Sequence, residues 1–325
     1  MLLSIAAVLA GFLLLIWSAD RFVTGASGIA VNFGVSPLII GLTIVGFGTS
    51  APEMIVSGVA SYEGTPNLAI GNALGSNITN IALVLGITAL VTPLLVNSKI
   101  LKREYPIMFL IMLIAWALLS DGKLSRMDGT VLVLGMFALM VFIILIGLRE
   151  KKLSGKTDPL IAEFAEEIPH GMSTSVALLW LVAGMIILLL SSRLLVWGAV
   201  NIAHEYHISE LVIGLTIVAI GTSLPELAAS IASALKNEHD IAIGNVIGSN
   251  MFNLLGVLGI PGIMGGATLE PSVLERDYPF MLFLSVLLFL FAYGFKGEGK
   301  INRLEASILL LCYIGYMFVL YRQSV

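Results

Sequence analysis

Long apolar runs separated by short polar breaks fill this chain from end to end. They lie at about 2–22, 36–62, 67–93, 103–119, 127–147, 175–198, 208–235, 240–264, 277–294 and 302–321. A helix of about 17–25 apolar residues crosses the hydrocarbon core of a bilayer. None of the runs shows the two-residue alternation of an outer-membrane strand. The pattern therefore predicts ten membrane-spanning helices. The second, third, seventh and eighth runs are long and are interrupted by Gly, Pro, Ser and Asn. One long polar stretch, 149–174, carries Lys151, Lys152, Lys156, Asp158, Glu163, Glu166 and Glu167 and divides the chain in two. Leu2–Trp17 lacks a basic leading segment and a small-residue cleavage site, so it reads as a retained helix and not a signal peptide.

The two parts repeat each other. Residues 41–53, GLTIVGFGTSAPE, match residues 214–226, GLTIVAIGTSLPE, at 10 of 13 positions and an offset of 173. At the same offset AIGNALGSNITN (69–80) matches AIGNVIGSNMFN (242–253) at 8 of 12 positions. Lys102-Arg103-Glu104-Tyr105-Pro106 answers Glu275-Arg276-Asp277-Tyr278-Pro279, and Leu124-Ser125-Arg126 then realigns with Ile301-Asn302-Arg303 after a four-residue gain. Each part holds five runs. Five is odd, so the second copy enters the membrane from the opposite side. The expected fold is an all-α polytopic membrane protein of ten transmembrane helices, built as two inverted five-helix repeats. These are 1–148 and 175–325, joined by the linker 149–174. Many secondary transporters share this plan.

Composition narrows the class. The chain is 58% hydrophobic and 12% charged, where a soluble domain carries about a quarter charged residues. Net charge is −4, and no basic patch suggests nucleic acid. No obligate protein partner is evident. A single cysteine, Cys312, makes a disulfide within the chain impossible. With the N-terminus outside, the inner loops hold 12 of the 17 Lys and Arg residues. The positive-inside rule then places both termini outside, in the periplasm of an inner-membrane protein, and 149–174 in the cytoplasm.

Glu53 and Glu226 lie in the middle of apolar runs, at equivalent places, and a carboxylate at that depth is costly without a partner. No Lys or Arg lies within the second, third, seventh or eighth run. Pro52 and Pro225 each deny a backbone carbonyl four residues back its usual donor. Freed carbonyls, Thr49, Ser50, Thr222, Ser223 and the two carboxylates make an all-oxygen cluster suited to hard cations such as Ca2+ or Na+. Ser76 and Asn80 share a helical face, as do Ser249 and Asn253, and their neutral oxygens add ligands without charge. Thr43 and Thr216 read as structural. Asp20 and Arg21 read as a local pair, Glu104 and Asp277 as helix-start charges, and the four Trp residues as interfacial or packing groups. His204-Glu205-Tyr206-His207 misses the zinc-protease spacing by one residue and reads as loop.

G-T-S-x-P-E twice, with G-N-x-x-G-S-N twice, resembles the α-repeats of the sodium/calcium exchanger branch of the calcium/cation antiporters, and does so over essentially the whole chain. That resemblance implies exchange of Ca2+ for Na+ by alternating access, with the ions as cargo and no cofactor. It implies Glu53 and Glu226 as central Ca2+ ligands with the carbonyls of Thr49 and Thr222. It implies Na+ sites at Gly46, Ser50 and Ser249 on one side and at Ala219, Ser223 and Ser76 on the other, with Asn80 and Asn253 lining the middle. Some members carry Asp where this chain has Asn253, so two carboxylates and not three are expected here, which also weighs against a potassium-dependent variant. A Ca2+/H+ exchanger using the same glutamates is the nearest alternative. An intramembrane hydrolase leaves the doubled Thr-Ser-x-Pro motif unexplained, and a passive cation channel is separated from an antiporter by counterflow.

Overall fold

The computed structural model describes residues 2–33, 48, 50–96, 100–154, 171–235, 239–293 and 299–324. Ten helices are described: α1 (Leu2–Asn32), α2 (Ala51–Tyr62), α3 (Pro66–Val91), α4 (Tyr105–Leu119), α5 (Arg126–Ser154), α6 (Thr174–Tyr206), α7 (Glu210–Leu235), α8 (from His239 to Met264), α9 (Tyr278–Ala292) and α10 (Arg303–Ser324). Among the described residues seven are long and apolar enough to cross a membrane, namely α1, α3, α5, α6, α7, α8 and α10. The N-terminal part of the second apolar run lies outside the described residues.

The helices overrun the hydropathy boundaries in places. α1 continues to Asn32, ten residues past the predicted edge, because backbone hydrogen bonding does not stop where apolarity stops. Its last polar side chain is used: Asn32 Nδ2 donates to Met172 O and to Thr174 Oγ1, both at 3.1 Å. α5 likewise runs into the polar stretch as far as Ser154. The residues His204 to Tyr206 end α6 and are not loop; His207 caps that helix in the left-handed conformation (φ 55°).

The repeat is written into the element bounds. α4 and α9 begin and end 173 positions apart, and each follows a wide π-type turn, Ile100–Glu104 and Val273–Asp277. Wide turns also interrupt α3 at Thr79–Val84 and α8 at Asn253–Val257.

Packing repeats as well. A side chain at Gly25 would meet Ala177 O at 2.7 Å, and one at Gly198 would meet Ser4 O at 2.7 Å. A side chain at Gly11 would meet Leu195 Cβ at 2.8 Å, and one at Gly184 would meet Phe22 Cα at 2.8 Å. As the position rises along α1, its partner falls along α6. The two helices therefore run antiparallel and in backbone contact, the use of small residues typical of membrane helix pairs.

The hydroxyl of Tyr105 donates to Ser285 O at 2.8 Å, and that of Tyr278 donates to Met112 O at 2.7 Å, so α4 and α9 exchange equivalent bonds. Two short antiparallel sheets do the same between the halves. β1 (Leu94–Val96) pairs with β4 (Gly299–Ile301), and β2 (Lys123–Leu124) with β3 (Ala267–Thr268).

Two apolar clusters result. The larger is built from α2–α5 and α7–α10 around residues such as Leu74, Ile81, Met112, Leu254 and Tyr278. The smaller joins Val8 and Leu15 of α1 and Leu188 and Leu195 of α6 to Val56, Leu68 and Val218. α1 and α6 thus lie against the rest through an interface of their own.

The two predicted helix-start charges differ. Glu104 pairs with Arg103 at 2.8 Å in a partly exposed setting. Asp277 is fully buried, bonded to Arg276 Nε at 2.6 Å and accepting from Tyr316 Oη at 2.8 Å.

Candidate cation site

α2 is preceded by Ser50 in the sparsely populated bridge region (φ −88°, ψ 2°), and its twin Ser223 breaks α7 with nearly the same angles (φ −86°, ψ 5°). Pro52 and Pro225 follow within the first turn, where a proline's missing N–H costs nothing. The expected unwinding is thus confined, at Ser223, to a single residue. Glu53 and Glu226 both stand in the first turn of the helix that restarts. A helix N-terminus favours negative charge there. Both side chains are fully buried.

α3 and α8 form the opposite wall. Asn72 Nδ2 donates to Glu53 O at 3.3 Å, and Asn245 Nδ2 donates to Glu226 O at 3.3 Å. Thr222 Oγ1 lies 3.2 Å from Asn72 Oδ1, across the two halves, and 3.1 Å from the Val218 carbonyl of its own helix, its one proton shared between them. Ser249 Oγ donates to Glu226 Oε1 at 3.4 Å. Asn80 and Asn253 sit at the wide turns of α3 and α8, and such turns recur at functional sites.

The polar atoms here outnumber their protein partners. Among the described residues, Ser50 Oγ, both Glu53 carboxylate oxygens, Ser76 Oγ, the Asn80 amide, Ser223 Oγ, Glu226 Oε2 and the Asn253 amide are buried without a hydrogen-bond partner. Buried polar groups in proteins are almost always satisfied, and an oxygen-rich set with two carboxylates is the donor chemistry of a hard cation. The residues present fit Ca2+ or Na+ as cargo.

Of the twelve residues expected at the site, Glu53, Ser50, Ser76, Asn80, Thr222, Ser223, Glu226, Ser249, Asn253 and Ala219 are described and buried. Gly46 and Thr49 lie outside the described residues. The Ala219 carbonyl accepts the Ser223 N–H at 3.1 Å and lies 3.5 Å from Thr222 Oγ1. Asn72 and Asn245, which the motif alone does not single out, bond to the glutamate carbonyls. Asn250 Nδ2 lies 3.9 Å from Met108 Sδ. Among the described residues no group of three His, Cys, Asp or Glu side chains gathers.

Antiparallel twin helices, wholly buried paired carboxylates and a shell of neutral oxygens define a membrane cation transporter. The family profile described as "Sodium/calcium exchanger protein" matches residues 3–145 and 176–322. The chain is 47% identical over 321 residues to CaxA of Alkalimonas amylolytica, named as a candidate antiporter, covering 99% of each. It is 46% identical over 287 residues to the inner membrane protein YrbG of Escherichia coli, covering 88% of each. The solved sodium-calcium exchanger NCX_Mj, soaked with Na+ and Ca2+, superposes with TM-score 0.62 at 34% identity, covering 97% of both chains. The chain belongs to the sodium/calcium exchanger family and is a multi-pass membrane cation antiporter.

Proposed function

We propose that this protein exchanges Ca2+ for Na+ across the inner membrane by alternating access, at one midplane site shared by the two halves. The observation that carries the reading is the fully buried pair Glu53 and Glu226, whose carboxylates have unpartnered oxygens among neutral hydroxyl and amide groups. Two carboxylates balance one Ca2+ by charge, and the same oxygens serve Na+, so the two ions compete. Ser50, Ser223, Ser76, Ser249, Asn80 and Asn253, with the carbonyls of Gly46, Thr49, Ala219 and Thr222, complete the ligand set.

The architecture we infer is ten transmembrane helices in two inverted five-helix repeats, 1–148 and 175–325. The antiparallel α1–α6 pair supports it, as do the reciprocal tyrosine bonds and the two cross-paired sheets. The distribution of Lys and Arg supports termini outside and a cytoplasmic 149–174 linker. Movement of α1 and α6 against the other helices is favoured by the separate apolar cluster that joins them.

A Ca2+/H+ exchanger uses the same glutamates. The surrounding neutral oxygens favour sodium, because a proton carried on a carboxylate needs no such ligands. Calcium flux in proteoliposomes under imposed Na+, K+ or H+ gradients tests the reading. Uptake driven by an outward Na+ gradient is expected; uptake driven by a pH gradient without sodium overturns the choice of counter-ion.

A further inference from the structure

A crevice of about 590 Å³ opens between α2, α6 and α8. Its floor is Met54, next in sequence to Glu53, and it extends along α2 to Tyr62 at the helix end. That climb is about 12 Å at the rise of an α-helix, close to the depth of one leaflet's hydrocarbon layer, about 15 Å. Ile186, Leu190 and Ile260 line its walls. Only two lining side chains are polar, Tyr62 and Arg193.

Arg193 is an anomaly on its helix. It is exposed on a face shared with Leu190, 60% exposed, and Trp197, 45% exposed. Those neighbours mark a lipid-facing stripe, where a cation is costly unless it meets an anion. Among the described residues no hydrogen bond or carboxylate engages Arg193. Its counterpart in the first half is Asp20, and the neighbouring Arg21 is provided for: it lies 3.7 Å from Asp20 and 5.0 Å over the Trp180 ring. The second half keeps a cation and no partner.

We propose that this crevice binds a phospholipid with an anionic headgroup, its acyl chain along the α2–α6–α8 groove and its phosphate on the Arg193 guanidinium. A planar guanidinium matches phosphate oxygens in a bidentate fork, and a headgroup of net negative charge complements the unpaired charge of Arg193. Gly58 leaves the groove open: a side chain there would meet only Ile260 Cγ2, at 3.9 Å. Because α6 forms one wall and α2 and α8 the other, a lipid seated here lies on the boundary between the two apolar clusters.

The test is native mass spectrometry of the full-length protein in detergent, titrated with phosphatidylglycerol or phosphatidylcholine of the same acyl chains. One charge at the surface gives phosphatidylglycerol a preference of about fivefold. Arg193→Gln brings the ratio near one, Arg193→Lys keeps most of it, and Gly58→Leu lowers retention of both lipids by filling the groove. Equal retention by the unmodified protein overturns the proposal. So does an unchanged ratio in Arg193→Gln, or full phosphatidylglycerol retention in a monodisperse Gly58→Leu protein.

Discussion

The amide of Asn72 donates to the backbone carbonyl of Glu53 at 3.3 Å, fixing the turn that carries the carboxylate from the helix that faces it. Asn245 and Glu226 repeat the bond at the same length. Each glutamate is held by its backbone, and among the described residues both Glu53 carboxylate oxygens and Glu226 Oε2 have no hydrogen-bond partner. Thr222 extends the bond from Asn72 into the other half, which makes the geometry of one glutamate depend on the turn that bears the other.

Asn72→Ala removes the bond to the Glu53 carbonyl and the contact with Thr222 Oγ1, and Asn245→Ala removes the bonds to the Glu226 carbonyl and Ser230 Oγ. A net loss of about 1 kcal/mol raises the half-saturating Ca2+ concentration about fivefold. The change is read by calcium uptake at graded Ca2+, and protein yield and monodispersity are expected to hold.

Asn253→Asp adds a third carboxylate to the wide turn of α8. Calcium affinity rises with ligand charge, so divalent binding should tighten about tenfold, measured by isothermal titration on detergent-solubilised protein. Weaker binding in this variant contradicts the placement of Asn253 in the site.

Tyr278→Phe deletes the bond from α9 to Met112 O. The hydroxyl is buried, and losing it costs about 1 kcal/mol, which lowers the melting temperature by about 2–4 °C. Tyr105→Phe, the twin change, is expected to match it. Strongly unequal effects count against equivalent roles of the two halves.

Gly198→Leu drives a side chain into Ser4 O and Val8 of α1. Overpacking of this kind costs about 1–3 kcal/mol, and backbone leaves little room to yield. Loss of a monodisperse peak on size-exclusion chromatography is expected, whereas Gly315→Leu, at an exposed position of α10, should be milder.

The repeat and the two glutamates were legible because both are local signals: a shared offset and a charge inside an apolar run. The breaks at Ser50 and Ser223 followed from Pro52 and Pro225 in the same way. The bond from Asn72 to the Glu53 carbonyl was not legible, since it depends on how α3 packs against α2, and an asparagine in an apolar helix has many possible partners. The wide turns at Asn80 and Asn253 left no periodicity to read. Strand β1 was hidden because its three residues pair with β4, some two hundred positions away, and sequence alone does not announce such a partner. Arg193 was visible only as the counterpart of Asp20; its isolation became evident once the partners of Arg21 were in place.

We propose that Glu53 and Glu226 together form the transported ion's site. The test is radiolabelled calcium uptake into sodium-loaded proteoliposomes containing Glu53→Gln, Glu226→Gln or the double variant. Either single change is expected to abolish sodium-driven calcium uptake while the protein remains folded. Calcium exchange persisting in the double variant would contradict it.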